Sequence, residues 1–195
     1  LETLQQLDVS LFFFINKHLA NPLFDIVCVW LRNKFFWIPL YVFIAIFFFR
    51  SNGWKALLII AFAGLSILIA DQLSATVIKP FFERLRPCNQ PDISAHARLL
   101  VRCGSGFSFV SSHAANHFAL SVFLLPFFEH KWIKWLLVLW AFSVAFSQVY
   151  VGVHYPADVF CGGLLGALAG ASSFALLNFS LGKNNLLKKD LSQQG

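Results

Sequence analysis

From Lys34 to Arg50 the chain reads KFFWIPLYVFIAIFFFR, and from Lys55 to Asp71 it reads KALLIIAFAGLSILIAD. Each stretch holds 15 residues without a formal charge between its charged ends. The hydrocarbon of a bilayer needs about 20 residues of helix. Flanking Lys and Arg lengthen a shorter run by snorkelling to the interface. Working outward, only His interrupts the uncharged run from Cys103 to Glu129, and Trp135–Ala157 and Val159–Gly182 carry no formal charge. The sequence therefore predicts membrane spans at 34–50, 55–77, 108–129, 132–152 and 157–181.

The whole composition agrees. Of the 195 residues, 58% are hydrophobic and only 12% charged, against roughly 25% charged in an ordinary soluble domain. The 24 Phe and 6 Trp exceed what a chain this short hides from water. A soluble globular domain and a disordered chain are both excluded. The net charge of +6 is scattered between apolar blocks, which reads as membrane topology and not as a nucleic-acid surface. The expected fold is an all-α integral membrane helical bundle of five to six spans in a single domain.

Residues 1–32 are the ambiguous part. Leu11–Ile15 and Leu23–Leu31 are apolar, but Asn16, Lys17, His18, Asn21, Pro22 and Asp25 divide them. Pro22 interrupts a continuous helix. Two short interfacial helices are expected, with a broken sixth span as the rival. Residues 34–181 form the bundle and 182–195 a cytoplasmic tail.

Orientation follows the basic residues. Arg50 and Lys55, Lys131 and Lys134, and the tail lysines Lys183, Lys188 and Lys189 fall on one side if the spans alternate. That side is expected to be cytoplasmic. The loop 78–107 and the turn near 150–156 then face outward. This outward loop is also basic, with Lys79, Arg84, Arg86, Arg98 and Arg102, so its charges are expected to have another task.

Three polar clusters reach that same face. They are Lys79-Pro-Phe-Phe-Glu-Arg-Leu-Arg86-Pro87, Phe109-Val-Ser111-Ser112-His113, and Ser147-Gln148 followed by His154 and Asp158. Cations, hydroxyls at a helix start and two His with an Asp are the parts that phosphoryl transfer through a histidine requires. Charge on the moving group must be neutralised, a nucleophile oriented and a leaving oxygen protonated.

On these residues the chain resembles the type 2 phosphatidic acid phosphatases, whose signature is K-x6-R-P, then P-S-G-H, then S-R-x5-H-x3-D. Lys79 and Arg86-Pro87 match the first motif, Val110-Ser111-Ser112-His113 the second, and Ser147-Gln148, His154 and Asp158 the third. The resemblance implies a metal-independent lipid phosphate phosphatase without cofactor. His154 would be the nucleophile, Asp158 its orienting partner and His113 the general acid. Lys79, Arg86, Ser111, Ser112 and Gln148 would bind phosphate. Val110 and Ser112 depart mildly from the pattern. Gln148 departs more seriously, because it replaces a charged bidentate donor with a neutral amide. Two readings stay open: a site working with two main cations, or a weakened one in which Gln148→Arg raises turnover.

The expected partner is a lipid phosphate in a membrane, with no nucleic acid. Candidate substrates are polyprenyl diphosphate, phosphatidic acid, phosphatidylglycerophosphate and lipid A phosphates. A lipid phosphotransferase and a non-catalytic lipid-binding protein are the alternatives, and a transporter has little support. His113 and His117 stand four apart as in a zinc helix, but the Glu of H-E-x-x-H is missing and no third ligand is apparent. His117 is expected to be hydrogen-bonded within the bundle. Arg84, His96, Arg98 and Arg102 are expected to shape the headgroup entrance, with Glu83 as their solvated partner. Asp71 stands at the outer end of its span, in a functional or a helix-end role.

Cys88 and Cys103 flank the outward loop. An oxidising compartment permits a bond between them, worth roughly 3 kcal/mol for a loop of about 15 residues in the chain-entropy model. Free thiols are the alternative. The expected location is a bacterial cytoplasmic membrane, with the site facing the outside or periplasm. In intact cells, a cysteine reporter at His96 should label with an impermeant reagent, and one at Lys131 should not. The opposite pattern would turn the site to the cytoplasm.

Overall fold

The computed structural model describes residues 2–181. The tail expected at 182–195 lies outside the described residues. No β-strand occurs among those described. The helices are α1 (Glu2–Phe13), α2 (Pro22–Arg32), α3 (Ile38–Asn52), α4 (Ala56–Gln72), α5 (Lys79–Phe82), α6 (Pro91–Ser94), α7 (Ser112–Leu124), α8 (Lys131–Tyr150) and α9 (Pro156–Ser180). The expected spans correspond to α3, α4, α7, α8 and α9. Three stretches of the described residues are long and apolar enough to cross a membrane: Lys34–Ser94, which contains α3 and α4, then Lys131–Tyr150 and Pro156–Ser180.

Local chemistry explains the boundaries. Asn21 caps α2, its Oδ1 accepting from Phe24 N at 2.9 Å, and Pro22 takes the first helical position. There a missing N–H costs nothing. The N-terminal 32 residues therefore form two helices, each shorter than a bilayer crossing. α1 continues through a π-helical turn, Phe14–His18, before the break. α7 is shorter than the expected 108–129. Ser111, in extended conformation, caps its start. At the other end Pro126 stands in a 3₁₀ turn, Leu125–Phe127, where its ring lacks the N–H that would continue the α-helical ladder.

α7 is the central helix, packed by α4, α8 and α9. Its buried residues include Ala114, Ala115, Ala119, Leu120, Phe123 and Leu124. Against it α9 presents Gly162, Gly166 and Gly170, one helical turn apart. A Cβ on Gly166 would stand 2.0 Å from the Ala115 carbonyl oxygen, one on Gly170 2.3 Å from that of Ala119, and one on Gly162 2.5 Å from that of Ser111. The two backbones therefore touch along this seam. Small residues serve this purpose in membranes, where apolar burial alone does not drive helices together. The opposite face of α9 exposes Phe160, Leu164 and Leu168, as a lipid-facing surface requires. Away from the site, Phe48, Ile59, Leu120, Phe123, Leu124, Trp140, Val144 and Leu177 form the main apolar cluster.

The loop between α5 and α7 lies over the turn between α8 and α9. Ser108 N donates to Arg84 O at 2.7 Å and Leu100 N to Val151 O at 3.2 Å. Asn16 Nδ2 donates to both Arg98 O and Tyr150 O at 2.8 Å. The turn itself needs Gly152, whose φ is +91° and whose Cβ would meet Arg98 O at 2.4 Å. The structure joins Cys88 and Cys103 in a disulfide, with Cα atoms 6.1 Å apart.

The seam makes a direct prediction. Gly166→Ala should destabilise the protein by about 1–3 kcal/mol, the usual cost of overpacking. Leu168→Ala on the outward face should change little. Thermal melts in detergent would compare them, and equal melting temperatures would contradict the close packing.

Candidate active site

The site is built where the starts of α7 and α9 meet the loop above them. Ser111 N donates to Asp158 O at 2.9 Å, which ties the two helix starts together. His154 and Asp158 straddle the start of α9, with Tyr155 as its cap and Pro156 at the first turn. The Asp158 carboxylate is fully enclosed. Its Oδ2 accepts from Tyr155 N at 2.8 Å and also from Ser108 Oγ, and its Oδ1 accepts from Arg84 Nη1 at 2.7 Å.

The tautomer of His154 follows from its neighbours. Arg86 Nη1 stands 3.2 Å from His154 Nε2. A guanidinium has only donors, so Nε2 accepts and the ring proton resides on Nδ1. That Nδ1–H faces Ser108 Oγ at 3.3 Å and Asp158 Oδ2 at 3.5 Å. Ser108 in turn donates to Asp158, so the hydroxyl bridges ring and carboxylate. Arg86 is fixed from behind, donating from Nε to Gly106 O at 2.8 Å and from Nη1 to Val153 O at 3.3 Å. Burial pushes the His154 imidazole down to about 4, against the opposing pull of Asp158.

Lys79 Nζ donates to Ser112 Oγ at 2.9 Å, and Ser74 Oγ to the same oxygen at 2.8 Å. Burial and the nearby Arg86 charge hold Lys79 below the usual lysine value. His113, half-buried at the start of α7, lies within electrostatic reach of Arg32, His154 and Lys79. Ser111 is fully buried, and its Oγ faces Ala114 N at 3.5 Å as a cap. The three sequence clusters thus meet at one end of the bundle.

Several expectations change. Gln148 is fully buried. Its amide nitrogen donates to Val144 O at 3.3 Å and Ser147 Oγ at 3.2 Å, and its Oε1 accepts from Arg32 Nε at 3.1 Å. Both of its donors are engaged inside the fold, so Gln148 has none for a phosphate. Arg84 is not an entrance residue. It links Asp158 to Asp8 of α1, with Nη2–Oδ2 at 2.6 Å, and lies 4.0 Å over the Tyr155 ring. Asp8 Oδ1 also accepts from Ala157 N at 2.8 Å, at the first turn of α9. Arg98 pairs with Asp25 at 2.8 Å. Glu83 is exposed and forms no ion pair among the described residues.

His117 Nδ1 donates to His113 O at 2.9 Å, and its ring packs against Trp37 and Trp140. Asp71 accepts from Asn116 at 3.0 Å, pinning α4 to α7. Among the described residues, no group of three or more His, Cys, Asp and Glu side chains is arranged to hold a metal. Ser108, Arg84, Asp8 and Arg32 are the site residues that sequence reasoning missed in these positions. Arg84 alone had a signal, standing two residues before Arg86 in the same motif.

Comparison with known proteins places this geometry in a family. The family model of the PAP2 superfamily matches residues 52–181. The chain belongs to that superfamily and is an integral membrane phosphoric ester hydrolase acting on lipids. It is 35% identical over 173 residues to a lipid A 4'-phosphatase of Bacteroides thetaiotaomicron, covering 87% of this chain and 76% of the relative. Among solved structures it is similar to Aquifex aeolicus LpxE, with a TM-score of 0.70 and 30% identity over 87% of this chain and 95% of that one. A PAP2 type phosphatidylglycerolphosphate phosphatase from Bacillus subtilis superimposes with a TM-score of 0.69 at 25% identity, over 90% of this chain and 87% of the other.

The buried imidazole gives a pH signature. His154 is held at about 4 in the folded state, below the unfolded value of about 6.5. As pH falls from about 6.5 toward 4, the unfolded chain takes up a proton that the folded one refuses, so stability is lost over that window. The loss attributable to this ring is on the order of 2–3 kcal/mol. His154→Gln should therefore lose less stability than wild type between pH 7 and pH 4 in detergent melts. Identical slopes would mean that the ring is solvated.

Proposed function

We propose that this chain hydrolyses a phosphomonoester on a membrane lipid at the extracytoplasmic face of a bacterial cytoplasmic membrane, through a phosphohistidine and without a metal. The observation that carries the reading is the Arg86–His154 contact at 3.2 Å. It leaves the Nε2 lone pair beside a cation. Incoming phosphate would draw that guanidinium onto its own oxygens and free Nε2 to attack.

In the first step Nε2 forms a bond to phosphorus, and the lipid oxygen departs with a proton from His113. The Nδ1–H directed at Ser108 and Asp158 stabilises the imidazolium that develops. In the second step His113 removes a proton from water, which attacks phosphorus, breaks the P–N bond and releases inorganic phosphate. Lys79, Arg86 and the N–H groups at the start of α7 would hold the non-bridging oxygens. Arg84 would keep Asp158 in place from behind. The resemblance to lipid A 4'-phosphatases favours a phosphorylated sugar headgroup on an acylated lipid as the substrate class.

The test is phosphate release from a detergent-solubilised panel of lipid A, phosphatidylglycerophosphate and polyprenyl diphosphate. His154→Ala should abolish both release and acid-labile phosphoenzyme. His113→Ala should slow turnover by about 10²–10⁴-fold, the usual worth of a general acid. A chelator should have no effect. An active His154→Ala protein, or activity lost to chelator and restored by zinc, would sink the mechanism.

A further inference from the structure

Arg32, at the end of α2, is a cation that none of the three motif segments contains. It is half-buried, and among the described residues it makes no ion pair. Its Nε donates to Gln148 Oε1 at 3.1 Å. Gln148 is itself locked, with its amide nitrogen held by Val144 O and Ser147 Oγ, so its carbonyl oxygen can only face Arg32. A guanidinium gripped at Nε still has its two terminal amino groups free for an anion. The surroundings are those of the phosphate cluster. Burial and the Arg86 charge both hold Arg32 below the ordinary arginine value, and His113 lies within its electrostatic reach.

α2 is anchored independently of this contact. Asp25 accepts from Arg98 Nη2 at 2.8 and 2.9 Å and from Tyr150 Oη at 2.6 Å. Arg32 is therefore carried to Gln148 by a helix already fixed to α8 and to the loop. Position 148 is also where the family pattern has an arginine and this chain does not. Here Gln148 and Arg32 meet at that position.

We propose that Arg32 supplies the phosphate-binding guanidinium missing at position 148, with Gln148 as the residue that positions it. This rests on the phosphatase reading above. Its two amino groups would take non-bridging phosphoryl oxygens alongside Lys79 and Arg86. It reverses the expectation for Gln148→Arg: with Arg32 present, a second guanidinium would meet the first and turnover would not rise.

The experiment uses the full chain in detergent, assayed for phosphate release from the lipid panel and for inhibition by orthovanadate. Arg32→Gln should lower kcat by about 100-fold, as loss of one preorganised transition-state donor does elsewhere, and should weaken vanadate inhibition. Adding Gln148→Arg to Arg32→Gln should recover about 10-fold or more of that loss. Gln148→Arg alone should lower kcat, because it removes the amide oxygen that positions Arg32, and a rise above wild type would overturn the proposal. A merely structural Arg32 would show no recovery in the double variant and no change in vanadate affinity. Undiminished kcat in Arg32→Gln, or a double variant no better than it, overturns the proposal. Where Arg32→Gln fails to fold, Arg32→Lys takes its place, and wild-type kcat and vanadate affinity in that variant overturn the bidentate role. If the wild-type protein releases phosphate from no lipid, the phosphatase reading fails by itself. Calorimetric titration with inorganic phosphate then decides Arg32, and equal binding by wild type and Arg32→Gln overturns it.

Discussion

The backbone contact between α7 and α9 is the constraint on which the site depends. Glycine at 162, 166 and 170 lets α9 approach until its backbone touches the carbonyls of Ser111, Ala115 and Ala119. At that distance Ser111 N reaches Asp158 O at 2.9 Å. This bond joins the second and third motifs, because Ser111 begins α7 and Asp158 stands in the first turn of α9. A methyl group on any of these glycines would overlap a carbonyl of α7, so the helices would have to move apart. In lipid, little else would hold them, since apolar side chains gain nothing by leaving one hydrocarbon for another. The placement of the His154 ring thus depends on side chains that are not there.

Electrostatics then sorts the cations into two groups. Arg84 and Arg98 are neutralised within the fold, by Asp8 with Asp158 and by Asp25. Lys79, Arg86 and Arg32 form no ion pair among the described residues, although all three are partly buried. Gathering like charges away from water is costly unless an anion offsets it, which is the part a phosphoryl group would play under the proposed function. The same division gives the carboxylate its part. Arg84, Ser108 and the Tyr155 amide engage Asp158, whose carboxylate faces the His154 Nδ1–H and forms no ion pair with Lys79, Arg86 or Arg32.

The short N-terminal helices acquire a purpose in this arrangement. α2 exposes Leu23, Ile26 and Trp30 on one side and presents Asp25, Cys28 and Arg32 to the protein on the other. An amphipathic helix of this kind presents an apolar face outward and a polar face to the protein. This one delivers its last residue to the polar end of α8. α1 does the same for α9, where Asp8 serves both Arg84 and the Ala157 amide. The first 32 residues therefore lie against the candidate site, although they contain none of the three motifs.

By itself the sequence determined the class of the protein, because hydropathy and motif spacing are local properties. Uncharged runs such as Phe35–Phe49 can only be satisfied in a bilayer. The intervals from Lys79 to Arg86 and from His154 to Asp158 could be measured along the chain. Helix ends were partly legible too, since Asn21-Pro22 and Ser111 act on their immediate neighbours. Only the tertiary structure decided what depends on distant segments meeting. Ser108 lies 46 residues from His154 and Arg32 lies 116 from Gln148, and no periodicity or motif connects such pairs. Gln148 shows the difference most clearly. In the sequence it is a lost charge. In the fold its amide faces inward and its oxygen faces an arginine from another helix, because packing, and not chain order, chooses the neighbours of a buried group.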